Sequence, residues 1–383
     1  MSNSTCFRQR HYKACRKQSK SQAGVALIVV LLIVALVSIL AMQMTSRLQL
    51  NIARTSNIKN NNQAYWYALG AEQFAKQSLL ELVSLSADNI NLNQPWAQDF
   101  EYPVDGGVIK AKITDMQSCF NLNGVLPDAD PNQVDAGSAP TNNQANTGEA
   151  NNNPNNNQTT NQQNQTPSRD AGFSLTQAAK DALNTLLSHY VEDSLAVDTV
   201  RDSLIDWIDA DDFQSDFGAE AANYESLPQP YAAANDMLAN TSELRLINGV
   251  DELLRRGWLR ELLPQVCVIP ERNFKLNVNT VSEESAIVLA ALLGVSVDEA
   301  NQIISSRPED GFADRQNFLD LPEVSALSLR ASQANWFDVT TRYFKLYTQS
   351  SFDNGAQFSM ATVFKVNEDN TSIRVISREF GGI

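Results

Sequence analysis

Apolar positions along this chain change their spacing several times, and each change marks an element. From Gly24 to Met44 the residues are apolar almost without interruption, and no charge falls between Lys20 and Arg47. At about 1.5 Å of rise per residue such a run crosses a hydrocarbon core of roughly 30 Å as one helix. The sequence therefore predicts a membrane span over 25–46. From Arg47 to about Ala87 there is no Pro and one Gly, and Leu48, Ile52, Tyr65, Leu69, Leu79, Leu82 and Val83 recur at helical spacing among Asn, Gln and Lys. The helix should run on as an amphipathic spine, with Tyr65, Trp66 and Tyr67 packing against the domain C-terminal to it.

Pro95 and the Gly106-Gly107 pair end that pattern, and Val108, Ile109, Ala111 and Ile113 predict a strand leading to Cys119–Gly124. Residues 132–166 then hold 18 Asn or Gln in 35 and no aromatic residue. Such a tract buries too little apolar surface to offset its ordering entropy and is expected to be disordered. Helical signals return with a capping box at Ser174…Gln177, followed by boxes at Thr280…Glu283 and Ser296…Glu299, so 174–325 should be mainly helical. Alternation resumes over Trp336–Tyr347, Met360–Val366 and Thr371–Ile376, which predicts strands. Sheet, helices, sheet is the order expected of an α-helical domain inserted into an α+β one.

Charge and cysteines narrow the function classes. The chain carries −15; setting aside the six basic residues of the first 23 leaves 23 basic against 44 acidic residues, a net −21. So acidic a body argues against nucleic acid or anionic lipid as its partner. The leader has Arg8, Arg10, Lys13, Arg16, Lys17 and Lys20 and no acid, which holds the N-terminus in the cytoplasm and the bulk on the other side. A cleavable secretory signal would have a shorter apolar core with its small-residue cut site behind it. Cys6 and Cys15 fall in the reducing compartment, whereas Cys119 and Cys267 are exported, where a pair can oxidise. With His11 and His189 the only histidines, and no CxxC, neither a zinc site nor a histidine-based triad is supported. No nucleophile–base constellation or phosphate-cradling Gly loop points to an enzyme.

A basic leader, Gly24 and then an apolar helix resembles the signal of type IV prepilins and type II secretion pseudopilins. The resemblance implies cleavage by a prepilin peptidase between Gly24 and Val25 and methylation of the new amine. Further on, Asp202–Asp211, Gly218–Tyr224, Pro230-Tyr231, Ala234-Asn235, Glu243–Gly249 and Leu276–Thr280 are similar to the K-type minor pseudopilin of the type II secretion system. That likeness spans nearly the whole mature chain apart from the Asn/Gln-rich tract. It implies a pilin-like transmembrane and amphipathic helix plus a small antiparallel sheet, with a large inserted helical domain of SAM-like or helix-hairpin-helix-like type. The segments are then a leader over 1–24, a span over 25–46, and pilin-like helix and strands over 47–127. A disordered insertion (128–170), two helical parts (171–275 and 276–330) and closing strands (331–383) complete the chain. The implied partners are the I- and J-type minor pseudopilins, other pseudopilins, the prepilin peptidase and the inner-membrane secretion platform. The implied role is at the tip of a periplasmic filament that exports folded proteins.

Three sets of residues carry more specific expectations. Asp206, Asp209, Asp211, Asp212, Asp216 and Glu220 crowd into fifteen residues and repel one another unless a hard cation intervenes. Asp209, Asp211 and Glu220 match the first, third and twelfth places of an EF-hand loop, but Phe213 and Gln214 occupy a ligand place and the turn-glycine place, so it is not an EF-hand. Oxygen-only ligands favour calcium, as does the family's reputation for binding it, and Asp209, Asp211, Asp212 and Glu220 are the expected ligands. Cys119 and Cys267 flank the insertion and are expected to form a disulfide. Val29, fifth after the cut, stands where major pseudopilins have a Glu that pairs with a neighbour's amine, which suits a subunit that enters first and caps the filament. The competing class is a membrane-anchored nucleic-acid-binding module, because Thr280–Leu321 is similar to a helix-hairpin-helix. There Ser296 replaces the second hairpin Gly, and Arg307 and Arg315 face eight carboxylates over 276–322.

Overall fold

The computed structural model describes residues 23–86, 88–127, 173–353, 355 and 357–381. Residues 1–22 of the expected leader, and the expected disordered insertion over 128–170, lie outside the described residues. Helix α1 (Ala23–Leu85) is unbroken for 63 residues. The described part of the first compact unit is the N-terminal portion of α1, which includes a stretch long and apolar enough to cross a membrane, with Val25 and Leu27 to Val34 all turned outward. Ser38 and Thr45 donate their hydroxyls to the Val34 and Ala41 carbonyls at 2.7 and 2.9 Å, which satisfies those groups where lipid offers no partner.

The second unit, 64–383, opens with the remainder of α1 and then β1 (Phe100–Val104), β2 (Gly107–Asp115) and β3 (Phe120–Asn121). After the undescribed tract come α2 (Leu175–Tyr190), α3 (Ser194–Ile208), α4 (Ala221–Glu225), α5 (Val250–Arg256) and α6 (Trp258–Leu262). Next are β4 (Val266–Cys267), β5 (Leu276–Asn277), α7 (Ala286–Leu293), α8 (Val297–Ser305), α9 (Arg315–Leu319), α10 (Pro322–Ser325) and α11 (Ala331–Ala334). The chain closes with β6 (Phe337–Asp338), β7 (Tyr343–Phe352), β8 (Gln357–Val366) and β9 (Ile373–Phe380). β1, β2, β7, β8 and β9 form one antiparallel sheet in that order. Among the described residues, the α-helices after α1 thus all lie in sequence between two hydrogen-bonded neighbours, β2 and β7, an α+β arrangement with an insertion.

Local chemistry explains the sheet. Asp105 and Gly106 are the two-residue turn between Val104 and Gly107, and Gly106 takes φ +72°, a conformation that suits a tight hairpin. A side chain at Gly107 would collide with the Ser351 carbonyl. Ala64, Ala68, Ala75, Leu79 and Val83 form a buried stripe on α1. The last three share one core with Ile90, Trp96, Ile113, Phe344, Leu346, Phe364, Val366 and Ile373. Deleting a fully buried side chain such as Leu79 from such a core costs about 2–5 kcal/mol.

The insertion has its own core, centred on α7, all eight of whose residues are buried. A helix that is apolar all round belongs in the middle of a domain, and α2 and α8 pack against it. Ser174 and Ser296 cap α2 and α8 as their boxes predict. Thr280 does not cap a helix; its hydroxyl turns to Asp115 at 2.6 Å. The alternation over Trp336–Tyr347 is not one strand either. Phe337–Asp338 pairs in parallel with Leu276–Asn277, and the main sheet is joined only from Tyr343. Both departures have one cause, a buried polar joint between sheet and insertion.

Candidate functional site

Helix α3 is started by Asp193, whose Oδ1 accepts from the Leu195 and Ala196 amides at 3.0 and 3.4 Å. Its buried face carries Val197, Val200, Leu204 and Ile208, and with them Asp202 and Asp206, four apart. These two acids shape the loop after the helix. Asp206, fully buried, accepts from the Ser215 amide at 3.2 and 3.1 Å. Asp202 accepts from the Phe217 amide at 3.3 Å and from Arg201 Nε at 2.8 Å. A Cβ on Gly218 would collide with Asp206 Oδ2, so the loop closes only over a glycine.

The folded loop brings Asp209, Asp211 and Glu220 together, one carboxylate oxygen of each lying within 4.8 Å of the others. Both oxygens of Glu220, which is 4% exposed, and Oδ1 of Asp209 are buried without a well-formed hydrogen bond, although Glu220 faces the amides at the start of α4, that of Ala221 among them. Asp209 also ends α3, where the helix dipole opposes negative charge. Burial, and after it Asp206 and Asp209, pushes the Glu220 carboxyl up to about 7. Burial, and after it Asp211 and Asp206, pushes Asp209 up to about 6. Two like charges near 4 Å apart repel by about 4 kcal/mol in a partly screened setting. A hard divalent cation with oxygen ligands is what such an array accommodates. Asp212, expected among the ligands, is instead bonded by Asn235 Nδ2 at 3.1 Å and is not in the cluster.

Cys119 and Cys267 are joined, with S–S 2.16 Å and Cα atoms 5.8 Å apart across 148 residues, beside the parallel pair β3 and β4. Gly24, Val25 and Val29 lie in the first turns of α1, with Val25 and Val29 outward, the latter 49% exposed.

Two buried carboxylates escaped the sequence reading. Glu72, 0% exposed, sits in the Ala64–Val83 stripe and receives Arg378 Nε and Nη2 at 2.6 and 2.8 Å and Thr362 Oγ1 at 3.1 Å. Burial raises its pKa, but the hydrogen bonds and charge of Arg378 outweigh this and leave it below the ordinary value. Asp115 ends β2 in the buried joint. Its Oδ2 accepts from Thr280 and Thr341 Oγ1, both at 2.6 Å, and from Asn277 Nδ2 at 3.1 Å, and its Oδ1 from the Gln117 amide at 2.6 Å. Burial lifts it to about 6 against those bonds. The signal was present in each case, an acid standing on an otherwise buried stripe of helix or strand.

The family models for type II secretion system protein K match residues 118–271 and 276–340. Among curated relatives, type II secretion system protein K of Aeromonas hydrophila is 33% identical over 87% of this chain and 88% of its own length. The Dickeya chrysanthemi protein of the same description is 32% identical over 95% and 98%. Among solved structures, a chain of the GspK-GspI-GspJ complex from enterotoxigenic Escherichia coli superposes with a TM-score of 0.64 at 24% identity, covering 86% of this chain and all of that one.

Proposed function

The chain belongs to the type II secretion system protein K family, and from that membership we propose that it caps the periplasmic pseudopilus as its largest minor subunit. It would do so together with I- and J-type subunits, in support of the export of folded proteins across the outer membrane. The observation that carries this is the insertion of a whole helical domain between β2 and β7, because so large a body leaves little room for a further subunit stacked above it. A solved relative that assembles with GspI and GspJ supports the choice of partners. The basic leader supports an inner-membrane orientation with the bulk in the periplasm. The family is a structural part of a secretion apparatus, and the reading is of a structural subunit.

The α7–α8 pair supports a helix-hairpin-helix-like description. Gly294 ends α7 at φ +71°, Ser296 starts α8, and the two helical stretches bend by 114°. Arg307 gives its guanidinium to the Val278 and Val281 carbonyls at 3.1 and 2.8 Å, which speaks against use of the hairpin on phosphates. For Asp209, Asp211 and Glu220 we propose calcium. The buried oxygens of Asp209 and Glu220 that lack a donor are its support, and the ion would supply the positive charge that the loop lacks.

The test is purification of the full chain from its own cell. Co-purification of I- and J-type subunits, with a mature chain that begins at Val25, is expected. A chain that begins at Met1, or that purifies alone, would contradict the proposal. Val29→Glu should weaken assembly; if that variant cross-links to copies of itself along a filament shaft, the capping role is wrong.

A further inference from the structure

The five-stranded sheet ends in two edges, β1 and β9, and they are guarded differently. An edge strand offers unpaired N–H and C=O groups to any extended chain unless Pro or charge blunts it. On the β1 side Pro103 supplies no amide, and Glu101 and Asp99 hold Lys110 and Lys112 of the adjoining strand at 3.6 and 3.9 Å. β9 has no Pro, and from Arg374 to Phe380 none of its residues is fully buried. Arg378 is engaged by Glu72 at 2.6 Å and Glu379 by Asn240 Nδ2 at 2.7 Å, which leaves Arg374, exposed and, among the described residues, without an ion-pair partner. The backbone of β9 also faces outward at definite places. Val366 donates its amide to the Arg342 carbonyl at 2.8 Å, away from β9, so Lys365 is the residue bonded across to Arg374. Pairing alternates along such a ladder, which turns the Val375 amide out of the sheet. Gly381 donates to the Ser359 carbonyl at 3.0 Å, which turns Phe380 outward by the same alternation. Beside this edge lies an aromatic floor, where Tyr65 of α1 meets Phe358 and Phe380 at 5.9 and 6.1 Å and Trp66 at 5.6 Å between ring centroids. Trp66 is 67% and Phe380 59% exposed.

We propose that the open edge of β9 takes an added strand from a partner subunit, an extended segment with apolar side chains at alternate places and a carboxylate beside Arg374. The inference rests on the reading that this chain assembles with other subunits. Main-chain bonds at Val375 and Phe380 hold the segment, and its side chains set the choice, the division of labour expected when a strand joins a sheet edge. Phe380 and Arg378 both reach α1, so apolar side chains on that face of the segment settle on Phe380 and Trp66. Arg374 stands on the other face, opposite Lys365, whose neighbours Phe364 and Val366 point into the spine core. Like charges across a strand pair repel; Lys365 is answered by Glu271 at 3.1 Å, and the incoming carboxylate answers Arg374. A second copy does not fit. From Glu72 back to Tyr65 on α1, the contacts run from Arg378 on to Phe380 on β9, so β9 runs against the spine. Two β9 edges paired antiparallel would set their α1 helices in opposite directions, although both carry the same N-terminal apolar stretch. Paired in parallel register, they would set Arg374 against Arg374.

Hydrogen exchange on the detergent-solubilised full chain, read by mass spectrometry, tests the edge with two probes. One is a short acetylated peptide of alternating Val and Thr with Glu at a central Thr place, and the other is its twin with Lys there. The Glu peptide should slow exchange over 373–380, leave 100–104 unchanged, and bind about tenfold tighter than the Lys twin, the direction that charges facing across a strand pair dictate. Arg374→Glu should reverse that order. Val375→Pro, which removes an outward amide but no ladder bond, should abolish the protection. In the secreting cell, benzoylphenylalanine in place of Ile376 should cross-link this chain to a pseudopilin that co-purifies with it. Equal protection by both peptides, an order unchanged by Arg374→Glu, or cross-links only to a second copy would overturn the added strand. A chain that co-purifies with partner subunits yet ignores both peptides would also remove it, and would leave the assembly reading standing.

Discussion

Buried carboxylates are treated in two opposite ways in this molecule. Glu72 and Asp115 are matched donor for acceptor, Glu72 by Arg378 and Thr362 and Asp115 by Thr280, Thr341, Asn277 and the Gln117 amide. Glu220 is buried and Asp209 half-buried, with like charges around them, and Asp209 Oδ1 and both Glu220 oxygens lack a well-formed hydrogen bond. Since an unsatisfied buried acceptor costs about 1–3 kcal/mol and more when charged, the first pair reads as joints of the fold. The second pair forms the seat for which a calcium ion from solution is proposed. Saturation with donors, rather than burial itself, separates structure from site.

The contrast breaks most visibly at Arg378. Arg378→Ala leaves the Glu72 charge buried and unpaired, and breaking a buried pair costs about 3–5 kcal/mol. Because the Arg378 side chain is 39% exposed, a loss of roughly 2–3 kcal/mol is expected on urea denaturation. An unchanged midpoint would show that Glu72 is not a joint. At the seat the sign should invert. Glu220→Gln relieves repulsion and should raise the melting temperature in chelator by a few degrees, about 1 kcal/mol in a domain of this size. The same change should abolish any rise on adding calcium, which for the unaltered chain is worth about 2.7 kcal/mol at a hundredfold excess over Kd.

Acidity sharpens the contrast further. Glu220, near 7, and Asp209 and Asp115, each near 6, stand above their ordinary values. Their contribution to stability is therefore fully present below about pH 4 and lost as pH rises through 6 to 7. In chelator the protein should gain stability between pH 8 and pH 5. In calcium the seat must be ionised, so that part of the gain should turn into a loss. Glu72, held below its ordinary value, works the other way and loses its contribution only at lower pH. Asp115→Asn should remove the gain near pH 6 that remains in calcium, the smallest of these effects, read as the slope of the denaturation midpoint against pH.

What the sequence disclosed depended on the range of the interaction. The spine helix, the caps at Ser174 and Ser296, and the last two strands, β8 and β9, arise from neighbours a few residues apart, and each appears where its pattern lies. The hairpin at Asp105–Gly106 was equally local, and its dipeptide signals it. The joints were not local, because the partner of Glu72 is 306 residues away. Thr280 carries a capping pattern yet bonds Asp115 across 165 residues, tertiary satisfaction overriding a local preference. At the seat, acidic crowding indicated the region, but only the folded loop separates Asp209, Asp211 and Glu220 from Asp212 and brings Asn235 beside them.

The claim on which the contrast turns is that the unsatisfied carboxylates hold an ion. Metal analysis of the purified full chain after dialysis against calcium tests it most directly. Retention of one tightly held calcium per chain is expected, lost in Glu220→Gln and kept in Asp115→Asn. A chain that retains no calcium, or an ion that survives Glu220→Gln, would contradict it.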